Sequence, residues 1–188
     1  GDTVEQEWKF DFGAAGTDAE DGYTLVTPDT NYVTNKEYGF LGIDVDSYKL
    51  GNRLDGFGNQ KGQAIKLKAG GGTGLNDAIG SVGEDSFGNA GDVYYPTRFA
   101  LKADDEAYYR VRATVTTLDT TKDAEISLYT ERKHPIFTDT KVEAGQTKTV
   151  EFSVRPTPIY YEKSEPKGTI ADGMVNVCVA GKNSAIAS

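Results

Sequence analysis

Residues 92–115 read DVYYPTRFALKADDEAYYRVRATV, two apolar runs with interleaved polar residues on either side of an acidic break. Phe99 and Leu101 share one face of the first run, and Tyr109, Val111, Ala113 and Val115 share one face of the second. That period of two is the signature of half-buried strands. Arg98, Lys102, Arg110 and Arg112 take the opposite, solvent-facing positions. Residues 103–106 place three consecutive carboxylates where a strand cannot bury them, so the chain is expected to turn there in solvent and the two runs to form a β-hairpin.

Working outward, QEWKFDF at residues 6–12 predicts a first strand with Trp8, Phe10 and Phe12 on the core face and Glu7, Lys9 and Asp11 on the other. A single tryptophan can serve as a sugar platform, but this spacing among aromatics assigns Trp8 to the core. Further strands are expected at residues 64–69, with Ile65 and Leu67 inward, at 124–130 around Ile126 and Leu128, and at 147–154 around Val150, Phe152 and Val154. A last strand at 173–181 carries Val175, Val177 and Val179. The intervening stretches read as loops. Residues 13–22 form an acidic, solvated turn, and 23–40 space their aromatics irregularly. Residues 70–91 form a long irregular loop with one helical turn near 75–79. No segment has a convincing helical period. About eight to ten short strands with long loops predict an all-β, antiparallel sandwich of jelly-roll type.

The chain has 188 residues, enough for one real core and short for two, so a single domain over 1–188 is expected. Its 20 basic and 29 acidic residues give a net charge of −9 without a basic cluster, which disfavours nucleic acid as a partner. The apolar runs are a few residues long, too short for a membrane-spanning helix, and the amino end lacks the charged and apolar regions of a signal peptide. Either a leader was removed or the sequence omits it, and a monomer is expected. Cys178 is alone in VNVCVAG and reads as a buried, inert thiol; an internal disulfide is excluded. His134 is the only histidine, so a zinc site of several imidazoles is excluded as well.

GNRLDGFGNQKGQ at residues 51–63 collects Asn52, Arg53, Asp55, Asn59 and Gln60 between glycines. Planar amides and a paired Arg and Asp can make bidentate hydrogen bonds to vicinal hydroxyls, and an ordinary surface turn uses the same residues, so both readings stay open. Asp44 and Asp46 begin like a calcium loop, but Tyr48 stands where the next oxygen ligand belongs. Calcium held by a discontinuous set of carboxylates and carbonyls leaves no linear signature and stays open. The glycine run at 70–74 is not followed by GK[ST], so there is no phosphate loop.

WKFDFG, GYTLVTPDTNY, EYGF, RFALKADDEAYYRVRATV, AEISLYTERKH and QTKTVEFSVRP occur in that order. The series resembles the amino-terminal galactose-binding-like domain that precedes the GDSL esterase domain in bacterial rhamnogalacturonan acetylesterases of carbohydrate esterase family 12. The likeness spans nearly the whole chain, although that family has a shorter passage where residues 51–91 stand here. The resemblance implies an extracellular, non-catalytic β-sandwich related in fold to carbohydrate-binding modules. Its implied partners are plant cell-wall polysaccharide and a covalently linked, pectin-active catalytic domain, from which this domain would be excised. No GDS motif, GxSxG elbow or DxxH pair occurs, so no catalytic residue is expected. Glu131 and His134 lie three apart, which on a strand sends them to opposite faces. Because strand alternation commits the apolar faces to the core, recognition is expected on loops at one end of the sandwich. The candidate sugar-binding residues are Arg53, Asp55, Asn59, Arg132 and His134, with Tyr160 and Tyr161 as stacking platforms. The competing expectation is a structural domain that packs against the esterase and binds no glycan.

Overall fold

The computed structural model describes residues 6–35, 37–41, 65–85, 96–103, 107–130, 134–160 and 170–188. In chain order the described strands are β1 (Phe10–Phe12), β2 (Thr24–Val26), β3 (Tyr38–Phe40), β4 (Ile65–Gly71), β5 (Asp77–Asp85), β6 (Thr97–Ala103), β7 (Tyr109–Thr117), β8 (Ala124–Thr130), β9 (His134–Val142), β10 (Thr147–Val154), β11 (Thr157–Tyr160), β12 (Ile170–Ala180) and β13 (Ser184–Ile186). Among the described residues helix is confined to one turn, α1 (Tyr32–Asn35), and a 3-10 turn at Gly74–Asn76.

Two antiparallel sheets pack face to face. One runs β10-β7-β13-β5-β4; the other runs β3-β6-β12-β8-β9, with β11 pairing to β12 as well. The chain changes sheet at most connections, which is the wrapped connectivity of a jelly roll. A short parallel pair, β1-β2, is tied to the five-stranded sheet where the Phe12 N–H donates to the Ala187 carbonyl at 3.0 Å. Between the layers lie Phe12, Val26, Phe40, Ile79, Phe99, Val115, Ile126, Leu128, Val177, Val179 and Ile186. The inward valines of β12 and the inward Ile126 and Leu128 of β8 occupy the positions that the alternation assigns them.

Residues 92–115 do not make a hairpin. β6 lies in the six-stranded sheet and β7 in the five-stranded one, so the connection arches from layer to layer; its three carboxylates at 104–106 lie outside the described residues. Nor is the outer face of β6 open to solvent before Lys102. Phe99 points into the main core, while Ala100 packs on the other side with Tyr32, Leu41 and Met174. This second cover is why Arg98, expected in solvent, is buried.

Four other expectations change. The first strand begins at Phe10 rather than at residue 6, because β2 offers its first partner, Thr24, opposite Phe10. Residues 23–40 contain β2, α1 and β3. Most of 70–85 is not a loop: β4 continues to Gly71 and β5 follows the 3-10 turn, a hairpin whose alanines and glycines carry little strand propensity. β9, β11 and β13 were not foreseen, and the thirteen described strands exceed the eight to ten expected. Cys178 is buried, as its sequence setting suggests.

The β12–β13 turn is fixed by one side chain. Asn183 adopts φ +60°, accepts from the Asp119 N–H at 2.7 Å, and donates through Nδ2 to the Asp119 and Lys122 carbonyls at 3.0 Å each. Asparagine tolerates this left-handed conformation better than other side chains do. Gly181 precedes it with φ +119°, where a Cβ would strike the Glu125 carbonyl oxygen.

Two substitutions at separate places test this packing by urea unfolding followed by far-ultraviolet circular dichroism. Phe99→Ala should cost about 3–5 kcal/mol, the usual loss for a buried phenylalanine. Asn183→Ala should cost about 1–3 kcal/mol through lost hydrogen bonds and a strained turn.

Candidate functional site

His134 opens β9, exposed, with Thr130 of β8 as its strand partner. Tyr160 closes β11 opposite Ile170. Thr130 pairs in turn with Val177, so His134 and Tyr160 are aligned with points seven residues apart on β12, roughly 20 Å at the usual rise of a strand. They do not form one site. Arg53, Asp55, Asn59, Arg132 and Tyr161 lie outside the described residues, as do Asp44 and Asp46.

The described residues instead gather aromatic rings at one rim of the sandwich. Trp8, expected in the core, is 38% exposed, and its ring lies 6.0 Å from that of Tyr109 at 41° between planes. Tyr109 begins β7 and packs with the Ala103, Val154 and Val175 cluster at the end of the inner face. Tyr108, one residue before the strand, is 75% exposed, and the Arg155 guanidinium sits 5.7 Å from its ring centroid. The strand register explains the grouping: Tyr109 pairs with Val154, so Arg155 leaves β10 beside the start of β7. Trp8 arrives from the segment before β1, where no neighbouring strand gives its backbone a sheet face to bury against. An exposed indole on Tyr109 and, at the preceding residue, a tyrosine under a guanidinium put ring faces and hydrogen-bond donors at the start of β7. The YYR sequence at 108–110 was legible as part of a strand; the exposure of its first ring follows from the strand starting one residue later.

A second cluster is acidic and pairs a buried with a partly buried side chain. Asp11 of β1, expected on a solvent face, is 2% exposed; its Oδ2 accepts from the Glu20 N–H at 3.0 Å, which folds the acidic loop back over the strand. Asp77, first residue of β5, turns its carboxyl toward that of Asp11. Burial, then the Asp11 charge and a side-chain hydrogen bond with Asp11, push the Asp77 pKa up from 3.8 to about 6. Oδ1 of each residue is buried and has no hydrogen-bond partner among the described residues. Among the described residues no group of three or more His, Cys, Asp or Glu side chains is placed to hold a metal.

A third feature is a shallow groove of about 310 Å³ at the β9–β10 turn, lined by Thr140, Lys141, Glu143, Gln146 and Lys148. Lys141 reaches Asp123 at 3.6 Å and Lys148 lies 5.4 Å from the Phe137 ring centroid, so both cations already have partners. Among the described residues, no helix is long and apolar enough to cross a membrane.

No protein-family model matches the chain, and no curated protein matches it. Among solved structures it is similar to protein YxiM from Bacillus subtilis, at 18% identity and a TM-score of 0.43. That likeness covers 94% of this chain and 40% of YxiM, so the chain spans less than half of the YxiM length.

Trp8 is the chain's single tryptophan, and its fluorescence therefore reports this rim alone. The native emission should be that of a partly solvated indole, readily quenched by acrylamide; a blue-shifted, protected emission would place the ring in the core instead. The acidic pair should act on stability in metal-free buffer. A carboxyl whose folded pKa lies above its unfolded value holds its proton better when folded, so its contribution is most favourable below about 3.8, declines as pH rises through about 6 and stays lower above that. Asp77→Asn should flatten that decline in urea midpoints measured across the range, with Asp11 and Glu20 left in place.

Proposed function

We propose that this domain is a non-catalytic carbohydrate-binding module that directs an appended pectin-active esterase to plant cell-wall polysaccharide outside the cell. The observation that carries the reading is the exposed Trp8 set against Tyr109, with Tyr108 and Arg155 beside it. A pyranose ring offers a face of C–H groups that can lie on the electron-rich face of an indole, while its hydroxyls take hydrogen bonds from groups at the edge. A tryptophan left 38% exposed where Phe10 and Phe12 enter the core offers part of its ring as a contact surface. The order of motifs that resembles the esterase family supports the same reading, and the −9 net charge bears on the ligand. A polyanionic pectic chain gains no long-range attraction from such a domain, so affinity has to come from ring stacking and local arginines.

The binding role raises the local concentration of substrate near a linked catalytic domain and needs no chemistry of its own. Affinity electrophoresis against pectins, xylans and glucans should show retardation by at least one pectic polymer. Trp8→Ala should weaken that binding by about 2 kcal/mol, roughly thirtyfold, which is the scale of an interface anchor. Arg53→Ala and Arg132→Ala, titrated by calorimetry, test whether those arginines contribute. Absence of retardation by every polymer would favour the structural alternative, a domain that packs against the esterase and binds no glycan.

A further inference from the structure

Alternation on β7 and β10 leaves a charged strip on the outside of the five-stranded sheet. Val111, Ala113, Val150 and Phe152 turn to the core, so Arg110 and Arg112 of β7 share the outer face with Glu151 and Ser153 of β10. The register sets Arg110 opposite Ser153 and Arg112 opposite Glu151, and Arg155, just past β10, lies 5.7 Å from the Tyr108 ring centroid at the same end. Arg112 and Glu151 are 3.8 Å apart with side chains 73% and 60% exposed, a pair that water screens and a ligand can displace. Exposed Arg110 has no ion pair among the described residues. Three guanidinium groups thus stand with one carboxylate on a chain of net charge −9, and the row is hidden in the sequence because Arg155 joins it from another strand.

We propose that this strip binds a polysaccharide through free carboxylate groups, as a uronate chain carries them. The sugar part rests on the carbohydrate-binding reading; the strip specifies the acid form and adds Arg110 and Arg112 to the surface. A guanidinium offers paired donors that match a carboxylate, and alternate residues of a strand stand roughly 7 Å apart, so the two arginines can hold separate acid groups of one extended chain. Tyr108, 75% exposed, gives a sugar ring a stacking face at the Arg155 end. A nucleic acid fits less well, since its binding depends on neutralising many phosphates and the chain as a whole is acidic. An acidic peptide meets the charge but offers no pyranose face to Tyr108.

Calorimetric titration of the whole chain, in chelator so that no metal bridges, compares polygalacturonate, its methyl ester and poly-glutamate at equal residue concentration. Polygalacturonate should bind at least about tenfold more tightly than either, the scale of charge-assisted contacts, and should weaken as salt rises from about 0.05 to 0.2 M. The double variant Arg110→Ala, Arg112→Ala should bind it about tenfold more weakly, closing the gap to the ester, while its urea midpoint stays near that of the wild type because both side chains are exposed. Glu151→Gln, which removes the strip's carboxylate, should strengthen binding about twofold, the scale of an exposed ion pair. Equal binding of the free and esterified polymers, or full affinity in the double variant, would overturn the proposal; if Trp8→Ala still weakens both polymers, the carbohydrate-binding reading survives that failure. Equal binding of poly-glutamate would overturn it too and assign the strip to an acidic peptide. Binding of no polymer would overturn both readings.

Discussion

The ring of Phe99 is where the early part of the chain is fastened to its middle. It contacts Phe12 edge-on at 4.9 Å, Phe10 at 5.0 Å, Phe40 at 5.7 Å and Tyr38 at 6.4 Å, so β1, β3 and β6 meet on one side chain. None of these three strands is self-sufficient. β1 and β3 have three residues each, too few for their own backbone bonds to offset the entropy of ordering them. Their positions are set by where the aromatic rings can be buried together. Offset and edge-to-face packing adds orientation to that burial, which a cluster of aliphatic side chains would supply less sharply.

The same constraint gives β6 its unusual cover. With Phe99 committed inward, Ala100 faces the outside of the sheet, where an ordinary sandwich would be wet. Here Tyr32 of α1 and Leu41, both flanking β3, fold over Ala100 and Met174, and backbone bonds from Leu41 to the Arg98 carbonyl and from Lys102 to the Glu37 carbonyl hold that cover in place. An aromatic core on one side and a small apolar lid on the other make β6 a strand buried on both faces, with burial falling toward its far end at Lys102.

How much of this the sequence disclosed depends on whether a strand had one wet face. β8, β10 and β12 keep their apolar residues at alternate positions and were legible, as was the all-β class. β6 and β7 were legible as strands but not as members of different layers, because alternation gives the buried face of a strand and says nothing about which neighbour it bonds. β4 was legible over residues 65–69 and missed only at Gly70 and Gly71, whereas β5 was hidden by its glycines and alanine, whose place there is decided by close approach of backbones rather than by side-chain burial. The candidate site was less legible still. Trp8 sits on the same alternate positions as Phe10 and Phe12, and among the described residues the strand pairing that begins at Phe10 separates the exposed ring from the buried ones. Asp11 is the converse case: its position reads as a solvent face, and it is enclosed by a loop that returns through Glu20 and by a strand that begins more than sixty residues later at Asp77.

Residues 8–12 thus divide one short segment among three tasks. Trp8 stands at the rim, Phe10 and Phe12 enter the aromatic core, and Asp11 turns to the opposite side and meets Asp77. A strand of three residues has little pairing of its own with which to resist sliding, since β2 and the Ala187 carbonyl supply its described backbone partners. Sliding by one residue would bring Asp11 into the aromatic cluster and expose the phenyl rings, so the core fixes the register in one direction. The carboxyl pair fixes it in the other sense, by holding the opposite face at a defined point on β5. The orientation of Trp8 therefore inherits its precision from both contacts, and the surface offered at the rim is as rigid as the short strand behind it.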